Sequence, residues 1–233
     1  VSEEGGAVFL ANLPSSGLEV ENLFFDITIK ECIFEGFSSL RSGGAISIVN
    51  TRARIHIARV LFKKNSAVGV NGGGGGDGGA ISIDSSTNVV LNSVNCSSNH
   101  AKHYGGCLSV TSNSEIGAPS NVVVNNLFST DDAADNRGGA VYVGLSSSLA
   151  MTKSLLQHAS GTGAVYASSA KVVLSEVAVR DSLVPADAAA VVCVSSSLKI
   201  NQNSNISNTR GRGIKGSGCT LVLKDTVLIG NGI

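Results

Sequence analysis

The sequence predicts an all-β solenoid, a single-stranded parallel β-helix of about eight three-strand coils. A Gly-Gly-Ala-apolar string recurs along the 233 residues, and successive copies lie 38, 35, 27, 33, 24, 26 and 23 residues apart. Each interval contains short stretches of alternating apolar and polar residues separated by turns rich in Ser, Asn and Gly, with no sustained helical period. The third position of the string is occupied by Ala7, Ala45, Ala80, Cys107, Ala140, Ala164, Ala190 and Gly213.

The composition is typical of strands joined by tight turns. Hydrophobic residues make up 42% of the chain but aromatic residues only 4%, so Val, Ile, Leu and Ala must fill the core. Basic and acidic residues balance at 17 each. This balance argues against nucleic acid as the main partner, and no apolar stretch is long enough to span a membrane.

The first strand of each copy follows the Gly-Gly-Ala turn, at motifs that include Gly43-Gly44-Ala45, Gly78-Gly79-Ala80 and Gly138-Gly139-Ala140. Glycine allows a tight turn into the strand where a Cβ atom would clash. Alternation then predicts two inward columns. One contains Val8, Ile46, Ile81, Leu108, Val141, Val165, Val191 and Ile214; the other contains Leu10, Ile48, Ile83, Val110, Val143, Ala167, Cys193 and Gly216.

A second pattern lies between the Gly-Gly-Ala copies. An apolar-x-apolar pair is followed five residues later by a bulky residue and, three residues further on, by Asn or a substitute. Phe62 and Asn65 show it clearly, Asn99 occupies the same place in the next copy, and a shift of one residue gives Phe128 and Asp131 in the fourth. We expect the Phe side chains to pack inside and the Asn side chains to form a hydrogen-bonded ladder.

The run of five glycines in "NGGGGGDGG" is predicted to be an insertion in one coil. Asn65 and Ala80 are 15 residues apart, against 8 residues for the corresponding step from Asn99 to Cys107. The chain is therefore interpreted as a single domain over 1–233, a fragment of a longer surface protein, with an inserted loop at about 68–77. The string also matches the start of the calcium-binding nonapeptide of RTX β-rolls, but it occurs once and has Gly79 where that repeat requires an apolar residue. No metal or cofactor is predicted.

Gly-Gly-Ala-(Ile/Leu/Val) alternating with Phe-x-x-Asn resembles the repeats of the chlamydial polymorphic outer-membrane proteins. The resemblance spans the chain and fades after residue 160, where "GTGA", "DAAA" and "GRGI" replace the motif. It implies a right-handed parallel β-helix like an autotransporter passenger, secreted or displayed on a cell surface and acting in adhesion. Its partners would be other cell-surface proteins, glycans, or further copies of itself.

Polysaccharide-active enzymes share this architecture, so catalysis is the main alternative. Hydrolases of this kind need carboxylates on adjacent coils that flank a glycosidic bond. The acidic cluster Asp131, Asp132 and Asp135 lies within one turn, and the corresponding turns of the adjacent copies offer no further carboxylate. We therefore expect a non-enzymatic protein, with a polysaccharide-binding or polysaccharide-degrading β-helix and a structural filament subunit as the alternatives.

The outward residues of the first strand are the candidate binding face. They change from small and polar to larger along the stack, and the predicted face consists of Tyr142, Tyr166, Val192 and Lys215. Stacked aromatic residues on a flat sheet can bind sugar rings or protein surfaces. The alternative is that other parts of the protein pack over them.

The five cysteines share no metal-ligand spacing. Cys96 and Cys107, which lie 11 residues apart, are predicted as the only plausible disulfide, because the others fall in different columns or distant coils. Sequons at Asn95 and Asn205 are expected by chance in so Asn- and Ser-rich a chain.

Overall fold

Strands make up all the regular structure of the described chain. The computed structural model describes residues 5–11, 26–70, 75–112 and 119–232, and these ranges contain 25 strands and no helix. Accordingly, the described ranges contain no helix with the length and apolar character needed to cross a membrane. The prediction of an all-β chain is confirmed.

The strands are short and follow one another in chain order as β1 (Val8–Ala11), β2 (Asp26–Lys30), β3 (Ile33–Glu35), β4 (Ser38–Ser39), β5 (Ile46–Val49), β6 (Arg54–Lys63), β7 (Ser66–Ala67), β8 (Ile81–Asp84), β9 (Val89–Ser97), β10 (His100–Ala101), β11 (Leu108–Thr111), β12 (Asn121–Thr130), β13 (Ala133–Ala134), β14 (Val141–Gly144), β15 (Ser148–Thr152), β16 (Leu155–Gln157), β17 (Val165–Ser168), β18 (Lys171–Ser175), β19 (Ala178–Arg180), β20 (Ala189–Val194), β21 (Ser197–Asn201), β22 (Ser204–Ser207), β23 (Arg212–Ser217), β24 (Thr220–Leu223) and β25 (Thr226–Ile229). The longest, β6, β9 and β12, run through a bend that divides the corresponding segment of the other coils into two strands.

The strands pair in parallel to form three sheets along the stack. The first sheet has eight strands, one from each coil, in the order β1-β5-β8-β11-β14-β17-β20-β23. A thirteen-stranded sheet contains the next two segments of each coil, and β4, β7, β10 and β13 form a small third sheet. The fold is a parallel β-helix of about eight coils, as predicted.

The two predicted inward columns of the first sheet are confirmed by its register. Ile46 pairs with Ile81, and Ile48 with Ile83, and the same alignment continues through the other strands. In the third segment Phe62 is fully buried and stacks on Phe34, with ring centroids 5.2 Å apart. Because each coil places its apolar side chains directly over those of the previous coil, the stack contains one continuous core.

The corner before the third sheet explains where the inward polar residues lie. In each coil one residue at this corner has a left-handed backbone with φ between 50° and 72°, and in the six inner coils the residue after it is buried. The left-handed residues are Gly36, Lys64, Ser98, Asp131, His158, Asp181, Asn208 and Gly230.

This corner corrects the register predicted for the fourth copy. Ser129, not Phe128, pairs with the inward Cys96 and is buried, whereas Phe128 is 39% exposed. Asp131 occupies the exposed left-handed position, and the next residue, Asp132, turns inward. The assignment of Phe128 and Asp131 to the inward columns is wrong by one residue, because this coil keeps the unshifted spacing of the others.

The Gly-Gly-Ala turns have the structural role that was predicted for them. Gly43 has φ of +66°, and a Cβ atom on Gly44 would overlap the carbonyl oxygen of Gly79 and lie 2.6 Å from the backbone nitrogen of Ser66. Ala45 is fully buried. Two further motifs repeat this arrangement, Gly78-Gly79-Ala80 and Gly138-Gly139-Ala140.

Both ends of the inserted loop are bonded into the stack. The backbone nitrogen of Val68 donates to the carbonyl of Ser39 at 2.9 Å, and that of Gly44 donates to the carbonyl of Gly78 at 2.9 Å. Gly78 therefore resumes the coil, as predicted. Residues 71–74 of the predicted loop at about 68–77 lie outside the described residues.

Candidate functional site

The predicted binding face is mostly buried. The register places Tyr142, Tyr166, Val192 and Lys215 in one column, as expected. However, the first three are only 5%, 8% and 6% exposed. Lys215 is exposed, and its Nζ donates to the carbonyl of Asp187 at 3.3 Å. The prediction of an exposed aromatic face is wrong, and the alternative that other residues pack over the column is correct.

Tyr104 and Arg137 cover this column. Each lies directly before a Gly-Gly turn, and the first glycine of that turn has φ of +68° or +66°. This left-handed glycine packs against the start of the next strand, so the residue before it folds back over the sheet. The ring of Tyr104 stacks on that of Tyr142, with centroids 4.4 Å apart. The guanidinium carbon of Arg137 lies 5.1 Å from the ring centroid of Tyr166. The result is a small apolar cluster outside the main core.

Asn65 and Asn99 form the predicted ladder. The side-chain Nδ2 of Asn65 donates to Oδ1 of Asn99 at 3.0 Å and to the carbonyl of Phe34 at 2.9 Å. The side-chain Nδ2 of Asn99 donates to Oδ1 of Asp132 at 2.9 Å and to the carbonyl of Phe62 at 3.1 Å. Both amides are buried. Their hydrogen bonds link one coil to the next, which is a structural role.

Asp132 continues the ladder with a buried carboxylate. Its Oδ1 also accepts a hydrogen bond from the backbone nitrogen of Asn99 at 2.8 Å, and its Oδ2 accepts one from the hydroxyl of Ser129 at 2.6 Å. Burial raises the pKa of Asp132 to about 7, although these hydrogen bonds oppose the shift. The interior of the solenoid therefore contains a group that titrates near neutral pH.

Two disulfide bonds connect neighbouring segments. Cys96 and Cys107 are bonded as predicted, with Cα atoms 5.8 Å apart, and Cys193 is bonded to Cys219 across 6.2 Å. The expectation that the first pair is the only plausible one is wrong. Gly216 pairs with Cys193 but brings no side chain into the column. This leaves room for Cys219, which packs beside Gly216 and reaches Cys193.

The first disulfide lies beside the buried carboxylate. The sulfur atoms of Cys96 and Cys107 and a carboxylate oxygen of Asp132 all lie within 4.8 Å of one another. Metal binding by cysteine requires the thiolate, and here each sulfur is bonded to the other. The group is accordingly a cross-link beside an acid rather than a set of metal ligands.

The remaining members of the acidic cluster pair with basic residues at the surface. The carboxylate oxygens of Asp135 lie 2.7 Å from Nε2 of His100 and 2.8 Å from Nζ of Lys102. The hydrogen bond from Lys102 is the main cause that lowers the pKa of Asp135. Asp131 lies 3.3 Å from Nδ1 of His158. The cluster is thus divided between the interior and two surface pairs, and does not assemble the two opposed carboxylates of a glycosidase.

An open groove of about 530 Å³ crosses the outer face of the thirteen-stranded sheet, and sequence reasoning missed it. Its floor includes the paired outward residues Thr28, His56, Val90 and Val123. Arg54 lines one side. The available signal was the alternation in "RIHIARV", which places Arg54 and His56 on the outward face of β6.

No family model matches the chain, and no curated protein matches it either. The parallel β-solenoid is shown by its sheets and registers alone.

Proposed function

We propose that this chain is a non-enzymatic β-helix scaffold, secreted or displayed at a cell surface, that acts in adhesion or surface structure. The observation that carries the proposal is the internal cross-linking of the coils. Two disulfides and a buried Asn ladder join adjacent coils. Disulfides persist in oxidising extracellular compartments and are rare in the cytosol. A stack held in this way keeps its outward faces in fixed positions, which suits a protein that presents binding surfaces.

The repeat supports the same proposal. Gly43-Gly44-Ala45-Ile46 and Phe62-x-x-Asn65 match the motif of the polymorphic outer-membrane proteins, whose passengers act in adhesion. In this chain the Phe packs in the core and the Asn joins the ladder. On this proposal the partners are surface proteins or glycans, or neighbouring copies of the chain.

The absence of catalysis is part of the proposal. The three acidic residues considered as a catalytic group are separated into a buried ladder position and two surface ion pairs. The test is incubation of the purified chain with a panel of plant, microbial and animal polysaccharides and glycoproteins. Binding is measured on the immobilised panel, and turnover is measured as release of reducing ends. Saturable binding without turnover is expected, and turnover on any polymer would contradict the proposal.

A polysaccharide-binding function is the second candidate, and the open groove favours it. The outward side chains over the groove are mostly polar, such as Thr28 and His56, and Val90 and Val123 add apolar surface at one side, so that sugar hydroxyls and a ring face can both be contacted. His56→Ala and Val123→Ser, both at exposed positions, should weaken glycan binding at least tenfold while leaving the melting temperature unchanged. Lys215→Ala, on the opposite sheet, is the control. Equal loss in the control would assign binding elsewhere.

A further inference from the structure

Asn95 interrupts an apolar column on the outer face of the thirteen-stranded sheet. In the register of β3, β6, β9, β12 and β16, Ile33 pairs with Leu61, Leu61 with Asn95, Asn95 with Phe128, and Phe128 with Leu155. Neighbouring members of this column are about 4.8 Å apart along the stack. Ile33 is 68% exposed and Phe128 is 39% exposed. A row of exposed apolar side chains marks a surface that another group can cover.

A second open groove, of about 460 Å³, lies at this column and is called the Asn95 groove. Ile33 and Leu61 line it with apolar surface, and Asn95 contributes a polar amide. Glu31 and Arg59 also line it, but they pair with each other, so their charges cancel. The groove therefore presents a neutral surface of mixed polarity, which suits a sugar ring with one apolar face and hydroxyls at its rim.

Asn95 is also the acceptor residue of the sequon Asn95-Cys96-Ser97. Chance can account for the occurrence of two sequons in this chain, but the structure distinguishes them. In β9 the alternation turns Asn95 outward and exposed, between the buried residues Val94 and Cys96. Asn205 is only partly exposed, and its Oδ1 is buried with no hydrogen-bond partner among the residues that the structure describes. Asn95 is therefore the better placed acceptor of the two.

We propose that Asn95 carries an N-linked oligosaccharide whose first N-acetylglucosamine lies in the Asn95 groove, over Ile33 and Leu61. The donor is a lipid-linked diphosphate oligosaccharide. Nδ2 of Asn95 forms a bond to C1 of the first sugar, the bond from C1 to the diphosphate breaks, the lipid diphosphate leaves, and the amide gives up one proton to a base of the transferase. The attached glycan is bulky and solubilising, and it covers the apolar column. The inference rests on the proposed secretion of the chain, because this donor serves proteins on a secretory route.

Occupancy is tested by secreting the whole chain, behind a cleavable signal sequence, from a eukaryotic host cell. Peptide N-glycosidase converts a glycosylated Asn to Asp, and peptide mass spectrometry then identifies the residue that carried the sugar. Residue 95 should be converted in the native chain. Asn95→Gln and Ser97→Ala should each abolish the sugar at this position, and Ser97→Ala carries the test if Asn95→Gln is not secreted. Asn205→Gln, at the other sequon, is the matched control and should keep the sugar on Asn95.

The position of the first sugar is tested by thermal stability. Trimming the glycan to a single N-acetylglucosamine should preserve the melting temperature of the glycosylated chain, whereas Asn95→Gln should lower it by about 2 to 4 °C. The variant Ile33→Ser should remove this difference, and Val123→Ser, at an exposed position outside the Asn95 groove, should retain it.

An unmodified Asn95 in the secreted, folded chain would overturn the proposal, and so would a melting temperature that does not depend on the first sugar or on Ile33. Both measurements are independent of adhesion, which is judged by binding to the panel of polysaccharides and glycoproteins. A failure of the glycosylation site is therefore distinguishable from a failure of the proposed function.

Discussion

At the scale of single residues, Asp132 should contribute to how stability depends on pH. Its pKa is about 7 in the folded chain against an ordinary value of 3.8. Between these values the folded state keeps a proton that the unfolded state has lost, so the contribution of Asp132 to stability is fully present below pH 3.8. It is lost as the pH rises through 7. A shift of this size corresponds to at most about 4 kcal/mol.

The variant Asp132→Asn should remove this contribution. An amide oxygen can still accept both hydrogen bonds of Asn99, whereas the amide nitrogen loses the hydrogen bond from Ser129. Between pH 5 and pH 8 the melting temperature of the native chain should fall, and that of the variant should fall less. Asp131→Asn is the exposed control. Identical pH profiles for the native chain and Asp132→Asn would show that Asp132 is ionised without penalty.

The two phenylalanines of the repeat pattern provide a second test at this scale. Phe62 is fully buried against Phe34, so Phe62→Ala should cost about 3 to 5 kcal/mol of unfolding free energy through the cavity it leaves. Phe128 is 39% exposed, and Phe128→Ala should cost less than about 1 kcal/mol. Urea denaturation measures both. Comparable losses of unfolding free energy in the two variants would mean that Phe128 lies inward, as the sequence pattern predicts.

The fourth copy shows the limit of reading single residues from the sequence. The spacing rule alone, applied from Val122 and Val124, leads to Ser129 and Asp132, which are the residues that lie inward. A shift of one residue places Phe128 in the apolar column, which suits its side chain better than that of Ser129. In the structure Ser129 is buried because its hydroxyl donates to the carboxylate of Asp132, three residues further along the chain. A hydrogen bond between two side chains does not change the alternation of apolar and polar residues, so the sequence pattern does not reveal it.

At the scale of elements, the Gly-Gly turn explains both the success and the failure of the sequence prediction. Alternation correctly separates inward from outward residues in the first sheet, because the period of a strand is two. It carries no information on what lies over the outward face. The left-handed glycine at 105 or 138 reverses the preceding residue onto that face, which buries Tyr142 and Tyr166 beneath Tyr104 and Arg137. Whether an outward residue is covered therefore depends on the φ angle of the turn glycine and not on the hydropathy pattern of the strand.

Gly44 and Gly36 are required for different reasons, Gly44 for the close approach of two coils and Gly36 for its left-handed backbone. Gly44→Ala should cost about 3 kcal/mol or more, because its Cβ would meet the backbone of Gly79 and Ser66, which cannot move without separating the coils. Gly36 has φ of +72° but no atom within 4 Å of an added Cβ. Gly36→Ala should cost about 1 kcal/mol. Melting temperatures compare the two variants, and an equal effect would mean that the coils can separate locally.

At the scale of the whole molecule, the repeat intervals were sufficient to predict the number of coils and the continuous core. Each coil contacts only its neighbours, so the pattern of one coil indicates the next. The second disulfide could not be predicted in this way, because it depends on a defect in the repeat. Gly216 replaces an apolar residue in the inward column, and Cys219, from the turn after β23, packs beside Cys193.

The two disulfides should therefore stabilise different parts of the stack. Each closes a short loop, of 11 or 26 residues, and should contribute about 3 kcal/mol by restricting the unfolded chain. Cys193→Ser with Cys219→Ser should increase hydrogen exchange in β20 to β25 and leave β8 to β14 protected, since stability in a solenoid is local. Cys96→Ser with Cys107→Ser should affect the central coils instead.

Thiol labelling of the native chain under denaturing, non-reducing conditions should detect one thiol, that of Cys32. Detection of three or five thiols would show that one or both bridges are not formed, and a uniform loss of protection in either double variant would contradict local stability.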